Sequence, residues 1–272
     1  MKLELAPVFQ RHWKDKDPFV EAEQLQGEVF RELEARRTLR FKLEGKSYFI
    51  KIHRGVGWFE ILENLLRLRL PVLGARNEYE AIRRLETLNI DTMSICAYAE
   101  KGLNPARRKS FIITEDLVNT ISLEDFCLDW HKKKPDFRLK KALIEKLALV
   151  SRLMHNHGIN HRDYYICHFL LALPLPEKDG QIAVENLKVS LIDLHRAQLR
   201  SVTPQRWRIK DIASLYFSAM NIGLTKRDVL RFVRVYQDNS LRHCLKNTEF
   251  WQQVSRRADK LMDRKQRKGD LI

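Results

Sequence analysis

Two neighbouring segments near the N-terminus alternate apolar and polar residues. They are TLRFKLEG and KSYFIKIHRG, and they meet at Glu44-Gly45. Alternation with a period of two gives a strand one buried and one exposed face, and a glycine-containing pair between two such runs is typical of a hairpin. The pattern therefore predicts a β-hairpin. A further short strand is predicted at KSFIITEDL, which ends in two acidic residues.

In two segments after the hairpin, apolar residues recur every three or four positions. EILENLLRLRLP and NEYEAIRRLETL are predicted to be helical, and Pro71 stops the first helix. The stretch WFEILENLLRLRLP carries apolar residues on more than one face. Two interpretations stay open for it: a buried helix, or an amphipathic helix that contacts a membrane or a partner protein.

Beyond Leu117 the pattern becomes mainly helical. FRLKKALIEKLALVSRLMHNHG has a three- to four-residue apolar repeat, and Gly158 is expected to stop this helix. A strand is predicted at LKVSLIDL and a helix at IKDIASLYFSAM; in TKRDVLRFVRVY, Thr225 and Asp228 are expected to form a capping box. The order predicts an α+β fold of two lobes, a β-rich lobe over residues 1–116 and a mainly helical lobe over residues 117–272.

The charge of the chain restricts its partners. Among 272 residues, 50 are basic and 35 acidic, a formal net charge of +15. Such an excess indicates anionic partners. The N-terminus lacks the apolar and small-residue pattern of a secretory signal, and no apolar run approaches the roughly 20 residues that span a bilayer. Four cysteines without CxxC spacing fit a reducing cytoplasm.

Two motifs invite interpretations that the sequence disfavours. Gly45-Lys46-Ser47 resembles the end of a P-loop, but an earlier glycine is missing and a strand follows instead of a helix. A zinc site would be built from His155, His157, His161, Cys167 and His168. However, the first two histidines lie two positions apart near a helix end and point to different sides, and HExxH is absent.

A third interpretation connects distant segments. Four features follow one another in the order found in the protein-kinase fold: Lys51 on a strand, Glu78 on the next helix, His161-Arg162-Asp163 in a loop, and Asp193 after a later strand. Each alone has an ordinary structural explanation, such as an exposed strand lysine or a turn aspartate. Their combined order favours phosphoryl transfer, which needs mainly positioning and charge neutralisation.

The chemistry assigns a role to each of these groups. Lys51 would hold the α- and β-phosphates of ATP and be oriented by Glu78. Asp193 would bind Mg²⁺ that bridges the phosphates, and Asp163 would accept the proton of the attacking hydroxyl. A non-catalytic, pseudokinase-like adaptor has no need of the complete set, so the set favours an enzyme.

Across nearly the whole chain, the sequence resembles the lipopolysaccharide core heptose kinases. The resemblance includes LQGEVFRELEARRTLRF, SYFIKIHRG, LPVLGARNEYEAIRRL, GINHRDYYICHFLL, IDLHRAQLR and KDIASLYFSAMNIGLT. It implies a protein-kinase-like fold and a cytoplasmic, ATP- and Mg²⁺-dependent transfer of the γ-phosphate to a hydroxyl of the first heptose of the inner core. A kinase of the second heptose or of Kdo is the alternative within this class.

The resemblance also implies roles for individual residues. The predicted site comprises catalytic Asp163 with Arg162 and His161 holding its loop, nucleotide-binding Lys51, Glu78, Glu115, Asp116, Leu117, Arg36 and Arg37, and metal-binding Asp193 and His168. Several positions depart from the protein-kinase pattern. His168 replaces the usual asparagine, Asp193-Leu194-His195 replaces DFG, and no GxGxxG precedes Lys51. Because Mg²⁺ prefers oxygen ligands, a structural role for His168 stays open beside the metal role.

The implied acceptor accounts for the positive charge. A lipopolysaccharide inner core on lipid A is polyanionic and lies at the cytoplasmic face of the inner membrane, so we expect peripheral association with that anionic surface. Basic patches at Arg36/Arg37/Arg40, at Arg67 and Arg69, and at SRRADKLMDRKQRK are candidates for this contact. An acidic protein such as acyl carrier protein is a further candidate partner. Nucleic acid is disfavoured because aromatic residues do not interleave with the basic runs.

Overall fold

The structure is a computed structural model that describes residues 1–66, 73–244, 246 and 248–269. The chain forms two compact units. The first comprises Met1–Arg84, Met93–Val118 and Leu194–Arg196, and the second comprises Leu85–Thr92, Asn119–Asp193 and the described residues from Ala197 onward. The predicted helix stop at Pro71 and the basic pair Arg67 and Arg69 lie outside the described residues.

The first unit is built on strands. Its elements are β1 (Lys2–Leu5), α1 (Pro7–His12), α2 (Pro18–Gln24), β2 (Glu28–Leu33), β3 (Arg36–Leu43), β4 (Lys46–His53), α3 (Gly57–Leu66), α4 (Arg76–Thr87), β5 (Ile95–Lys101) and β6 (Lys109–Glu115). The six strands form one antiparallel sheet in the order β1-β5-β6-β4-β3-β2. The last residues of α4 belong to the second unit.

The predicted hairpin is confirmed as β3 and β4. Leu43 pairs with Lys46 across the turn, and Glu44 and Gly45 both have positive φ, 47° and 77°. Two successive residues with positive φ are typical of the turn that matches the right-handed twist of a two-residue hairpin. This register fixes which side chains share a face: Lys51 lies opposite Thr38, and His53 lies opposite Arg36.

One face of this sheet is covered by α1 and α2. Phe9 of α1 is fully buried and contacts the rings of Trp13, Phe41 and Tyr48, with centroid distances of 5.1 to 6.3 Å. Edge-to-face packing of aromatic rings contributes stability beyond the burial of their apolar area. The other face of β4 is thereby left to carry the polar side chains that include Lys51.

Helix α3 is exposed over much of its apolar surface. Ile61 is 6% exposed, whereas five large apolar side chains are about half exposed or more: Trp58, Phe59, Leu62, Leu65 and Leu66. The interpretation as a buried helix is therefore wrong for the described part of this segment. The amphipathic interpretation fits, because the five exposed positions fall on one side of a helix with 3.6 residues per turn.

The second unit is mainly helical. Its elements are β7 (Thr120–Ser122), α5 (Leu123–Phe126), α6 (Phe137–Asn156), β8 (Ile159–Asn160), β9 (Phe169–Ala172), β10 (Glu177–Lys178), β11 (Gln181–Ile182), β12 (Val189–Leu191), β13 (Gln198–Leu199), α7 (Gln205–Ala219), α8 (Lys226–Gln237), α9 (Leu241–Cys244) and α10 (Glu249–Gly269). Short antiparallel pairs join β9 to β7 and β12, and β8 to β13.

The ends of two helices form as predicted. α6 ends at Asn156, and Gly158 has a φ of 78°, where a β-carbon would lie 1.8 Å from the carbonyl oxygen of Arg200. Glycine is required there because only it combines the left-handed conformation with so close a backbone approach. α8 begins with the capping box of Thr225 and Asp228. A strand-rich N-terminal part followed by a helical C-terminal part confirms the α+β fold.

Within the described residues, no helix is long and apolar enough to cross a membrane. The N-terminal segment forms β1 and α1, whose Phe9 belongs to the core of the first unit.

Candidate active site

The predicted nucleotide-binding pair is formed in the first unit. Lys51 on β4 donates a hydrogen bond of 2.7 Å from Nζ to Oε1 of Glu78, which lies in the first turn of α4. The Glu78 side chain is 1% exposed and the Lys51 side chain 23%. Oε2 of Glu78 is also buried and accepts no hydrogen bond within the described part of the chain. Glu78 holds Lys51 firmly, because loss of this lysine would leave a buried carboxylate with an uncompensated charge.

The face of the sheet around Lys51 is strongly basic. His53, two residues further along β4, is 2% exposed. Burial, and then the charges of Arg36, Lys51 and His195, lower the pKa of His53 to about 3. His53 is therefore neutral near pH 7, although cations lie around it. The sequence reasoning did not single out His53.

The two predicted arginines of the first hairpin lie on opposite faces of the sheet. Arg36 pairs with His53 and so shares the face of Lys51. Arg37 alternates to the other face, where it donates to the carbonyl oxygen of Glu23 at 2.8 Å and forms an ion pair of 2.9 Å with Glu32. Side chains of successive strand residues point in opposite directions. A role for both arginines at one ligand therefore requires Arg37 to leave Glu23 and Glu32.

The predicted hinge follows β6. The N–H of Asp116 donates to the carbonyl oxygen of Ser47 at 3.0 Å, and its carboxylate accepts from the Ser47 hydroxyl at 2.7 Å. Glu115 accepts from Lys46 at 3.1 Å, and Leu117 follows directly. A cavity of about 460 Å³ adjoins this segment, lined by Gly27, Glu28, Arg40, Phe41, Lys42, Ser47, Asp116 and Val118.

The His161-Arg162-Asp163 loop in the second unit is held by its backbone. The carboxylate of Asp211 on α7 is fully buried and accepts from the N–H groups of His161 at 2.7 Å and Arg162 at 3.0 Å. Hydrogen bonds to a charged acceptor are among the stronger ones in proteins. Two such bonds to consecutive N–H groups fix the position of the backbone directly before Asp163.

The buried network continues behind Asp211. Nε2 of His155 lies 3.4 Å from the carboxylate, and Nδ1 lies 2.8 Å from the hydroxyl of Tyr236. A carboxylate only accepts hydrogen bonds, so Nε2 of His155 donates to Asp211, and Nδ1 shares a hydrogen bond with the Tyr236 hydroxyl. His155 is therefore part of the support of the loop, and the helix-end position that suggested a zinc ligand has this structural explanation.

His161 and His168 lie within the same loop. Nε2 of His161 donates to the carbonyl oxygen of Ile192 at 2.9 Å, next to Asp193, and burial lowers the pKa of His161. Nδ1 of His168 donates to the carbonyl oxygen of Asp163 at 2.7 Å, and the two imidazole rings stack with centroids 5.8 Å apart. Both histidines thus tie the predicted base to the segment that carries the predicted metal ligand.

The predicted metal-binding residues are close to each other. Nε2 of His168 lies 3.8 Å from Oδ2 of Asp193. Burial lowers the pKa of His168, but hydrogen bonds to Cys167 and to the Asp163 carbonyl and the charge of Asp193 outweigh burial and raise it to about 9. Because Nδ1 is committed to Asp163, only Nε2 could face a metal. Within the described part of the chain, no group of three or more His, Cys, Asp or Glu side chains is arranged to hold a metal ion.

Two residues of this loop region have unusual backbone conformations. Arg162 has a φ of 76° and Asp193 a φ of 62°. The left-handed region costs a residue with a β-carbon about 1 kcal/mol, and such residues concentrate at functional sites. Their occurrence at the predicted catalytic triplet and the predicted metal ligand indicates that the surrounding hydrogen bonds hold these residues in place.

Asp211 is a further residue of the candidate site that the sequence reasoning missed. It lies in IKDIASLYFSAM between the buried Ile209 and Ile212. A charged residue on the apolar side of a helix is costly unless it is paired. The position of Asp211 between two isoleucines could therefore have indicated a buried carboxylate with a partner. Its partners are backbone groups about 50 residues earlier in the chain, so the sequence does not identify them.

Comparison with known proteins identifies the family of this chain. The model of the lipopolysaccharide kinase (Kdo/WaaP) family matches residues 20–236. The lipopolysaccharide core heptose(I) kinase WaaP of Pseudomonas aeruginosa is 52% identical over 275 residues, covering all of both chains. The protein of the same name from Escherichia coli is 55% identical over 268 residues, covering 98% of this chain and 99% of the relative.

A solved structure is similar over nearly its whole length. It is described as WaaP in complex with acyl carrier protein, and it has a TM-score of 0.83 and 47% identity to this chain, covering 96% of this chain and 99% of the other. These similarities confirm the resemblance noted in the sequence: the chain belongs to the lipopolysaccharide kinase (Kdo/WaaP) family.

Proposed function

We propose that this protein transfers the γ-phosphate of ATP to a hydroxyl of the first heptose of the lipopolysaccharide inner core. ATP as the donor follows from membership in a kinase family. The observation that carries the chemistry is the hydrogen-bonded loop that joins Asp163 to Asp193 through His161 and His168. The choice of heptose rests on the names of the two relatives that are more than half identical over their whole length.

In this proposal the first unit contributes the phosphate-binding groups. Lys51, oriented by Glu78, neutralises the α- and β-phosphates, and Arg36 on the same face adds a second positive charge. Arg37 stays a predicted nucleotide contact that would have to exchange its bonds to Glu23 and Glu32. The adenine would lie at Glu115, Asp116 and Leu117, beside the adjoining cavity. We assign these roles to the lobe of residues 1–116.

The second unit contributes the metal and the base, and we assign them to the lobe of residues 117–272. Asp193 would hold Mg²⁺, with His168 as the second predicted ligand through Nε2. When bound, the metal would neutralise charge on the transferring phosphate. Asp163 accepts the proton of the heptose hydroxyl as the oxygen bonds to phosphorus and ADP leaves, a role worth about 10²- to 10⁴-fold in rate. Arg162 and His161 hold the backbone that positions Asp163.

The test is transfer of label from γ-labelled ATP, with Mg²⁺, to a dephosphorylated inner core that contains both heptoses. Mass spectrometry of the product should locate the phosphate on the first heptose. Phosphate on the second heptose or on Kdo would mean that the protein is a kinase with a different acceptor. Binding of ATP without transfer to any core acceptor would contradict the proposal and favour a non-catalytic adaptor.

We propose that the protein associates peripherally with the anionic inner-membrane surface through α3. The exposed side chains of Trp58, Phe59, Leu62, Leu65 and Leu66 give this helix an apolar side that a bilayer interface would cover. The formal charge of +15 favours an anionic surface over a neutral one. A cytoplasmic location follows from this proposal, because the unfinished inner core is presented there.

Binding to vesicles tests the role of α3. The double variant Phe59→Ser/Leu66→Ser should bind vesicles of phosphatidylglycerol and phosphatidylethanolamine about tenfold or more weakly, since two large apolar side chains are no longer buried. The matched control is Leu103→Ser/Leu128→Ser, which changes two exposed leucines elsewhere in the chain. Equal binding of both variants and the wild type would contradict the role of α3.

Acyl carrier protein is the second proposed partner. The solved structure that is 47% identical to this chain is a complex with that protein. Acyl carrier protein is acidic, and the exposed side of α10 offers it Arg256, Arg257, Lys260, Arg264, Lys265 and Arg267. Affinity measured by titration should fall as salt is raised, because screening weakens exposed ion pairs. Absence of binding at low ionic strength would contradict this partner.

A further inference from the structure

Four cations surround one indole ring in the second unit. Trp207 lies in the first turn of α7, and the charged groups of Arg162, Arg200, Arg206 and Lys210 lie 5.6, 5.8, 5.6 and 5.0 Å from its ring centroid. Cation–π attraction accounts for one or two cations over a ring. Like charges this close repel one another, so the partners of each cation decide the net charge of this cluster.

The charges in this Trp207 cluster are not balanced by acids at two of its members. Arg200 donates only to neutral groups, Asn160 at 2.5 Å and Gln198 at 2.7 Å. Among the residues that the structure describes, neither Arg200 nor Arg206 forms an ion pair with a carboxylate. Burial and the nearby charge of Arg206 lower the pKa of Arg200. The excess of positive charge is thus a property of the folded unit.

The carboxylate next along the chain does not fill this gap. Asp211 follows Lys210, but its oxygens accept from the backbone N–H groups of His161 and Arg162 in the buried interior. The indole N–H of Trp207 is enclosed and donates no hydrogen bond within the described residues. The cluster therefore combines several hydrogen-bond donors with an excess of positive charge at Arg200 and Arg206, which is the complement of an oxyanion.

The cluster is fixed next to the predicted base. β13 pairs with β8, Gln198 with Asn160 and Leu199 with Ile159, directly before the catalytic triplet. The N–H of Arg200 donates to the carbonyl oxygen of Gly158 at 2.9 Å. Arg162 belongs to the cluster and precedes Asp163 in the chain. An anion bound to the cluster is thereby held at a defined position along the loop that carries Asp163.

We infer that Arg200, Arg206 and Lys210, arranged with Arg162 around Trp207, bind an oxyanion of the saccharide acceptor and thereby select an anionic acceptor beside Asp163. The inference rests on the proposed function, whose acceptor residues it names. The ligand is a carboxylate or a phosphate carried by the acceptor next to the sugar that is phosphorylated. These residues bind and orient the acceptor, and they take no part in proton transfer.

The test compares Arg206→Gln with Arg227→Gln. Each arginine is the second residue of a helix, α7 or α8, and each is exposed, so the control matches in position and charge. With a water-soluble deacylated core, Arg206→Gln should raise the KM for the acceptor about tenfold and leave the KM for ATP unchanged, because one charge-assisted hydrogen bond is lost. Arg206→Lys should recover part of the loss, and Arg227→Gln should equal the wild type.

Modified acceptors identify the anion. If the anion is a carboxylate, the KM of the wild type should rise about tenfold for an acceptor whose carboxylates are amidated. If the anion is a phosphate, the same rise should occur for an acceptor treated with phosphatase. The KM of Arg206→Gln should be the same for that modified acceptor as for the unmodified one. Arg200→Gln, checked for unchanged thermal unfolding, should reproduce the pattern.

Three results separate the possible failures. No transfer by the wild type would refute the proposed function. Transfer with equal KM values for the wild type, Arg206→Gln and Arg200→Gln would overturn only the acceptor site. A fall in kcat with an unchanged KM for the acceptor would also overturn it, because a binding role acts on KM when chemistry is slow.

Discussion

Lys51 in the first unit and Asp163 in the second unit are held by different kinds of contact. In the first unit, Lys51 is oriented by a side-chain ion pair with Glu78. In the second unit, Asp163 is positioned through the backbone, because Asp211 binds the N–H groups of the two residues before it. A side-chain pair sets the direction of one charge, whereas backbone bonds set the path of the chain. Loss of the first should therefore affect mainly nucleotide binding, and loss of the second should affect the fold as well.

The largest effect is expected for Asp211→Ala. Two buried N–H groups lose their acceptor and His155 loses its partner, so unfolding should become easier by about 3 kcal/mol or more. Kinase activity should be lost even at temperatures where the protein stays folded. Chemical denaturation and phosphate transfer measure the two effects. Asp259→Ala, an exposed aspartate on α10, is the control and should change neither. Full activity of Asp211→Ala would refute the role assigned to the backbone bonds.

A smaller effect, confined to activity, is expected for Glu78→Gln. The amide oxygen can still accept from Lys51, but the negative charge is lost, so the KM for ATP should rise and kcat should fall, by about 10- to 100-fold in kcat/KM. Stability should change by about 1 kcal/mol or less, because the substitution removes a buried carboxylate and the Lys51 charge that remains is 23% exposed to solvent. Steady-state kinetics and thermal unfolding give the two values.

The matched control for Glu78→Gln lies on the same helix. The side chain of Glu80 is partly exposed and pairs with Arg76 at 2.7 Å, four residues before it. Glu80→Gln should leave kcat/KM unchanged. If Glu78→Gln destabilised the protein as much as Asp211→Ala does, the distinction between side-chain and backbone support would fail.

Asp228 combines the two kinds of contact, because it binds both a side chain and a backbone N–H. It accepts from Lys140 at 2.8 Å and from the N–H of Thr225 at 3.0 Å. Burial raises its pKa, but these bonds outweigh burial and lower it from 3.8 to about 2. The unfolded state then binds more protons between those values, so the stabilisation is complete above about pH 4 and is lost as the pH falls through about 2.

The shift corresponds to about 2 kcal/mol at neutral pH. Asp228→Asn should lose about this much, and the difference in unfolding free energy from the wild type should shrink as the pH falls from 4 to 2. Urea denaturation at several pH values measures it. A difference that stays constant over this range would show that the bonds of Asp228 do not depend on its charge.

Local patterns predicted much of this fold. The hairpin around Glu44-Gly45, the stop at Gly158 and the capping box of Thr225 and Asp228 all form as expected, because each depends on residues close together in the chain. The pairing of Lys51 with Glu78 was also predicted, from the order of a strand lysine and a helix glutamate.

Features that depend on tertiary burial were not predicted from the residues. Asp211 and His53 are buried by elements distant in sequence, so their partners cannot be identified from the neighbouring residues. The sequence did not decide whether α3 is buried or exposed, because its apolar residues suit either. The Trp207 cluster combines residues from a loop, a strand end and a helix, so no single segment displays it.

The most direct test of the account is the rate of phosphate transfer to the heptose-containing core by Asp163→Asn, measured in a single turnover with saturating ATP and Mg²⁺. The account predicts a rate about 10²- to 10⁴-fold below that of the wild type, with unchanged thermal unfolding and unchanged ATP affinity. A variant that is folded, binds ATP and transfers phosphate at the wild-type rate would contradict the assignment of Asp163 as the base.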